Sequence, residues 1–309
     1  MCKNIVIIVI VVVILLLFFV YYIPPSNIEK FIIISKNKRI PTHNNIWMYW
    51  ENMPNKTKPN YLKLCFQTIL YHCKNNFNIY LLNDKNIHEF IPNLRLDLDK
   101  KLKIQPKTDY LRYYLLELYG GIWIDADTII MNNLQPIIKK LKDYDFVGFG
   151  CHYTDRICQQ KNCGYPKPAN WVMASRKNGK LMTLCRLACD KILDNDNDKG
   201  NLKKIYFTLG RNLIWSKINY LEKNDKNWKY YHYHSKCIER DYRGNKLRNE
   251  RSISNEEIDK ECINKYLFIP IYNTAPGFPS WFIKATIHKI INSNMLISKL
   301  LRHSLNINY

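Results

Sequence analysis

TDYLRYYLLELYGGIWIDAD, residues Thr108 to Asp127, is the stretch on which the reading of this chain turns. Up to Tyr119 it is apolar nearly all round, which predicts a buried helix. Thr108 stands as its N-cap, and Gly120 as the residue that stops it in a left-handed turn. Asp109 and Arg112 are three positions apart and so share one face of that helix. Two opposite charges in an apolar setting either satisfy one another or face a polar ligand. A guanidinium fork suits hydroxyl or phosphate oxygens, and a carboxylate accepts from hydroxyl groups.

After the Gly120-Gly121 turn, Ile122 to Ile124 reads as a short buried strand that runs into Asp125-Ala126-Asp127. Side chains alternate along a strand, so Asp125 and Asp127 point the same way at its carboxyl end, the usual ligand edge of an open α/β sheet. Two convergent carboxylates suit a hard divalent cation, Mn²⁺ or Mg²⁺. The spacing alone is a weak signal, because Asp97/Asp99, Asp143/Asp145, Asp194/Asp196 and Asp196/Asp198 repeat it. Only Asp125/Asp127 follows a buried strand and a glycine turn; the others lie in polar stretches or at helix ends, where solvation is expected. The run from Asp194 to Gly200 suggests a calcium loop, but Lys199 and Ile205 occupy the positions where an EF-hand needs Gly and Glu.

Outward from this segment, short apolar runs alternate with helical patterns, the signature of an α/β domain with a mostly parallel sheet. Strands are expected at Asn45 to Tyr49, Asn78 to Leu82, Phe146 to Phe149 and Trp171 to Ala174, and helices at Tyr61 to Cys73, Lys180 to Leu193 and Asn201 to Leu221. Asp241 to Lys260 reads as a long surface loop, and the last twenty-odd residues as a basic amphipathic helix.

The first residues read differently. No charged side chain occurs from Asn4 to Ile28, and Ile5 to Ile23 is almost entirely aliphatic or aromatic. A helix of about 20 such residues matches the hydrocarbon core of a bilayer, and Tyr21-Tyr22 suits its interface. A cleaved signal peptide would have a shorter apolar core and a small-residue cleavage site. The organisation expected is a membrane anchor at 1–23, a linker at 24–39, a catalytic domain at 40–290 and a basic helical tail at 291–309. A type II signal-anchor with a lumenal or extracytoplasmic domain is favoured, although Lys30, Lys36, Lys38 and Arg39 taken literally argue for a cytosolic one.

The net charge of +21 would suit nucleic acid or an anionic surface. The abundance of Lys, Asn and Ile together reads instead as the mark of AT-rich coding. There is no zinc-finger spacing or helix-turn-helix, so no nucleic-acid partner is expected. Of ten cysteines, Cys151, Cys158 and Cys163 lack the paired spacing of a zinc site. The sequon Asn55-Lys56-Thr57 is expected by chance in so Asn-rich a chain.

The block from Asp109 to Asp127, with Ile40-Pro41 and the segment Ile46 to Glu51, resembles the sugar-binding, DXD-containing glycosyltransferases of family 32, above all their capsular polysaccharide synthesis branch. That resemblance implies a GT-A fold, a metal-bound nucleotide sugar, and transfer of a hexose from a UDP- or GDP-sugar to a glycan or glycoconjugate with retention of configuration. It puts Trp50 at the nucleotide base, Asp109 and Arg112 at the donor sugar, Asp125 at ribose and sugar, and Asp127 on the metal; Trp50 read alone is as well explained by core packing. Asn170-Trp171 resembles an element near the acceptor, and is explained as well by a buried strand end. The late loop that closes such sites has two candidates, Pro279-Ser280-Trp281 and Thr286-Ile287-His288-Lys289. In the second, His288 would join Asp125 and Asp127 on the metal and Lys289 would hold phosphate; a surface histidine beside a lysine explains the pair as well. His232 and His234, at strand spacing, are surface residues or acceptor contacts. No residue stands out as the base that inversion would require. A phosphohydrolase would need a second ligand cluster, which is absent. A membrane-tethered protein that binds nucleotide sugar or glycan without turnover is the remaining alternative.

Overall fold

The computed structural model describes residues 44–51, 58–150, 168–195, 208–233, 255, 257–258, 263–264, 266–271 and 280–307. The expected anchor at 1–23, the sequon, Cys151, Cys158, Cys163, His234 and almost all of the 241–260 stretch lie outside them. Among the described residues no helix is long and apolar enough to cross a membrane.

The chain opens with β1 (Asn45–Tyr49), α1 (Asn60–Cys73) and β2 (Asn78–Leu82), then two single turns, α2 (Ile87–Phe90) and α3 (Leu98–Lys101). Next come α4 (Ile104–Tyr119), β3 (Gly121–Ile124), β4 (Thr128–Ile130), α5 (Gln135–Lys140) and β5 (Phe146–Phe149). β6 (Ala169–Ser175), α6 (Lys180–Asn195), α7 (Arg211–Asn224) and β7 (Tyr230–Tyr233) complete the main layers. β8 (Phe268–Pro270), α8 (Ser280–Ile283), α9 (Ile287–Ile291) and α10 (Leu296–Leu305) follow.

Six strands form one sheet in the order β2-β1-β3-β6-β5-β7. The pairings β1–β2, β1–β3 and β5–β7 are parallel, while β6 runs antiparallel to both β3 and β5. The result is an α/β fold whose sheet is mostly parallel. Every residue of β1 is buried, as expected of an inner strand covered on both faces. Strand alternation divides them: Trp47 joins Trp123, Met173 and the apolar faces of α4, α6 and α7, whereas Ile46 and Met48 join Ile122, Ile124, Val147 and Val172 against α1 and α5.

β4 and β8 pair antiparallel in a separate two-stranded sheet. It sits in a second core with Tyr61, Leu62 and Cys65 of α1, Phe282 of α8, and Leu296, Ile297, Leu300 and Leu301 of α10. The amphipathic helix expected near the end of the sequence therefore forms, and its apolar face is buried in the domain instead of standing apart as a tail. The helix expected from Asn201 is observed as Arg211–Asn224, with 201–207 outside the described residues.

Candidate active site

α4 begins at Ile104, a turn earlier than the sequence suggests, and Thr108 is not its cap: the Thr108 hydroxyl donates to the Ile104 carbonyl at 2.6 Å. Pro106 is tolerated in that first turn because an N–H there has no intrahelical acceptor. Gly120 ends the helix with φ +67°, and Gly121 follows with φ +99°. A Cβ would lie 2.6 Å from the Lys177 backbone nitrogen at Gly120 and 2.5 Å from the Asn45 carbonyl oxygen at Gly121. Only glycine passes between these backbones, and the helix is thereby delivered directly into β3.

β1 and β3 are parallel neighbours, so Trp50 and Asp125 emerge at the same carboxyl edge. β6 is antiparallel to β3, so its beginning, Asn170 and Trp171, reaches that edge too. Here the groups converge. Arg112, 5% exposed, places Nη2 3.2 Å from Asp109 Oδ1 and 3.3 Å from Asp125 Oδ1. Its Nη1 donates to the Asn170 carbonyl, its Nε to the Thr108 carbonyl at 3.3 Å, and its guanidinium lies 5.1 Å from the Trp123 ring centre. The Asn170 side-chain amide donates to Asp109 Oδ1 at 2.7 Å, and the Trp123 indole N–H to Asp125 Oδ1 at 2.8 Å. The Asp125 backbone N–H donates to the Trp171 carbonyl at 2.9 Å, and the Asp127 carbonyl accepts from Ile271 N–H at 2.8 Å. The Asp127 carboxylate, partly exposed, has no side-chain hydrogen bond or ion pair among the described residues.

One guanidinium thus stands among three carboxylates, and burial raises the pKa of all three. Burial pushes Asp109 up to about 6 against the pull of Arg112. It also raises Asp125, again opposed by Arg112. Asp127 is pushed up to about 8, first by burial and then by the charge of Asp125. Two adjacent carboxylates, one of them without a side-chain partner among the described residues, form a donor set of hard oxygens, which fits a divalent cation such as Mn²⁺ or Mg²⁺. Among the described residues the other Asp-x-Asp positions are occupied or open to water, and Asp196 and Asp198 lie outside them. Asp97 is paired with Arg95 and Lys101, Asp99 with Lys107, Asp145 with Arg176 and Asp194 with Arg95, while Asp143 is exposed.

Trp50 is half-buried, its backbone N–H donating to the Leu82 carbonyl at 2.9 Å, and, like Ala126 and Ile287, packs against the second core. His288 is exposed on α9, its Nε2 2.6 Å from the Asn292 side-chain nitrogen. No group of three His, Cys, Asp or Glu residues able to hold a metal occurs among the described residues, so the structure does not gather His288 with Asp125 and Asp127. The two alternatives for the late loop meet each other instead: Lys289 Nζ lies 5.0 Å from the Trp281 ring centre. His232 bonds to the Gly150 carbonyl at 2.6 Å, across the β5–β7 edge.

Sequence reasoning passed over Trp123. The signal was present, since Trp123 and Asp125 alternate onto one face of β3 just as Asp125 and Asp127 do. It also passed over Lys107 and Glu51, which meet at 3.0 Å beside the site.

A family model described as capsular polysaccharide synthesis protein matches residues 26–209 of the chain. An uncharacterized glycosyltransferase, L373, of Acanthamoeba polyphaga mimivirus is 30% identical over 139 residues, 43% of this chain and 48% of that protein. The chain thus spans about half the length of the curated relative it matches. Among solved structures, the PaToxG glycosyltransferase is 15% identical with a TM-score of 0.39, covering 60% of this chain and 70% of its own. The galactosyltransferase LgtC, in complex with donor and acceptor sugar analogs, is 12% identical with a TM-score of 0.40, covering 75% of this chain and 87% of its own.

Proposed function

This chain belongs to the capsular polysaccharide synthesis protein family, and on that premise we propose that it is a metal-dependent glycosyltransferase. It transfers a hexose from a UDP- or GDP-sugar to a glycan or glycoconjugate acceptor, with retention of configuration, on a GT-A architecture. The observation that carries the reading is the cluster of Asp109, Asp125 and Asp127 around the single Arg112 at the carboxyl edge of β1 and β3. A buried excess of carboxylate is unfavourable unless a cation completes it.

In this reading Trp50 offers an aromatic face to the nucleotide base. Arg112 and Asp109 bind hydroxyls of the donor sugar, with Asp109 oriented by the Asn170 amide. Asp125, fixed by the Trp123 indole and Arg112, takes ribose and sugar hydroxyls. Asp127 and Asp125 would hold the cation, which when bound supplies positive charge for a departing diphosphate. Asp109 and Asp125 are each committed to fixed partners, so the work of these side chains is orientation and charge stabilisation more than proton abstraction. The membrane anchor at 1–23 and an extracytoplasmic catalytic domain belong to the same proposal and rest on the sequence alone.

The test is donor hydrolysis by the full chain in detergent, across a panel of UDP- and GDP-sugars with Mn²⁺, with and without EDTA, and in Asp127→Asn. Turnover of one donor that is lost with EDTA and in the variant is the expected result. Donor binding without turnover would move the chain to a tethered binding protein, and neither binding nor turnover would remove the role given to Asp127.

A further inference from the structure

We propose that Lys107 is a positioning residue that locks the Trp50 end of β1 to the helix carrying Asp109 and Arg112. The inference rests on the reading of this edge as a nucleotide-sugar site. Lys107 is 5% exposed although it is a lysine. Its ammonium donates to Glu51 Oε2 at 3.0 Å and to Asp99, and lies 5.7 Å from the centre of the Tyr49 ring. The Tyr49 hydroxyl donates to the same Glu51 oxygen at 3.0 Å. Asp99 is 72% exposed, so water competes for its carboxylate more than for that of Glu51. Glu51, fixed from two sides, is the partner that determines where the ammonium sits.

The position of this triad gives it consequence beyond local stability. Glu51 follows Trp50 directly, and Lys107 precedes Asp109 by two residues on α4. The last backbone bond that ties β1 to its neighbours here is Trp50 N–H to the Leu82 carbonyl, on the β2 side. On the α4 side, the Lys107–Glu51 contact bridges the segment that would carry the base and the helix that would carry the sugar clamp. A buried ammonium with a doubly held carboxylate has one satisfactory geometry, and losing either partner leaves the other poorly matched. The triad therefore sets the distance between the two halves of the site. A nucleotide diphosphate alone engages the first half, whereas an intact nucleotide sugar must engage both in register.

The experiment uses the full chain in detergent as Lys107→Met, Glu51→Gln, the double variant and Lys107→Arg. The first readout is hydrogen exchange in the ligand-free protein over peptides covering Tyr49 to Glu51. Exchange there rises about tenfold in Lys107→Met and in Glu51→Gln while that of Ile46 to Met48 is unchanged. The second is kinetic: in Lys107→Met the donor KM rises about tenfold, and the Ki of the matching free diphosphate, UDP or GDP, changes less than about threefold. Lys107→Arg recovers most of the loss, and the double variant is no worse than either single one. Unchanged exchange at Tyr49 to Glu51, equal losses for donor and diphosphate, or losses that multiply in the double variant would each overturn the proposal. If the wild-type chain turns over no donor, the functional reading fails by itself, and the exchange measurement still decides the role of Lys107.

Discussion

Replacing Asp127 with Asn should make the metal-free protein more stable at alkaline pH while abolishing its activity. The carboxylate is partly buried, has no side-chain partner among the described residues and faces the charge of Asp125, which together push its pKa up from 3.8 to about 8. A raised carboxylate pKa means that the fold prefers the protonated form. The group therefore costs nothing below the unfolded value near 3.8, and its penalty grows as pH rises until it levels off above about 8. At roughly 1.36 kcal/mol per pH unit, that interval bounds the cost at about 6 kcal/mol. Because the side chain retains access to water, about 2 kcal/mol is the working figure, or roughly 4–8 °C in Tm for a domain of this size. The assay is thermal unfolding in EDTA at pH 8.5 and pH 5. Asp127→Asn should melt higher than wild type at pH 8.5, and at pH 5 the gain should be smaller. Adding Mn²⁺ at pH 8.5 should raise wild type and leave the variant where it is. An Asn variant that melts at or below wild type at pH 8.5, or gains equally at both pH values, would refute the reasoning.

Two further outcomes follow from the same geometry. Gly121→Ala puts a Cβ 2.5 Å from the Asn45 carbonyl oxygen at a φ of +99°, and should cost roughly 2–4 kcal/mol, measured as a lower midpoint in urea. Asn170→Ala removes the hydrogen bond that favours the charged form of Asp109, so the Asp109 pKa should climb above its present value of about 6; the acid limb of the donor-hydrolysis profile should move to higher pH, and a profile that stays in place would show that Asp109 does not need Asn170.

Much of the frame was legible in local pattern. β1, β2 and β5 lie where the apolar runs place them, and α1 differs by one residue at its start. The two glycines after Tyr119 announced the helix-to-strand turn because no other residue tolerates that backbone. What could not be read depends on pairing between distant segments. The antiparallel setting of β6, which brings Asn170 to Asp109, pairs Ile124 with Val172 and leaves no mark on either stretch alone. β4 and β8 are three residues each and pair Thr128 with Pro270, too short and too far apart for any periodicity to reveal. α4 starts a turn earlier than the sequence suggests, with Pro106 in the one turn that tolerates it. His288 was assigned by resemblance, and its placement depends on how α9 packs, which the motif around it does not encode.

The carbonyl of Asp127 is held by Ile271, and the strand that follows it pairs with Phe268–Pro270, while the Ile130 carbonyl accepts from the Ser304 hydroxyl. The acidic pair is therefore seated by residues made long after it on the ribosome. Contacts of such high sequence separation form late and slowly, since the loop between them must close first. During synthesis the sheet bearing Arg112 can assemble while the Asp127 turn still lacks its outer support, so the acidic pair should reach its final setting only after Ile271 and Ser304 have docked.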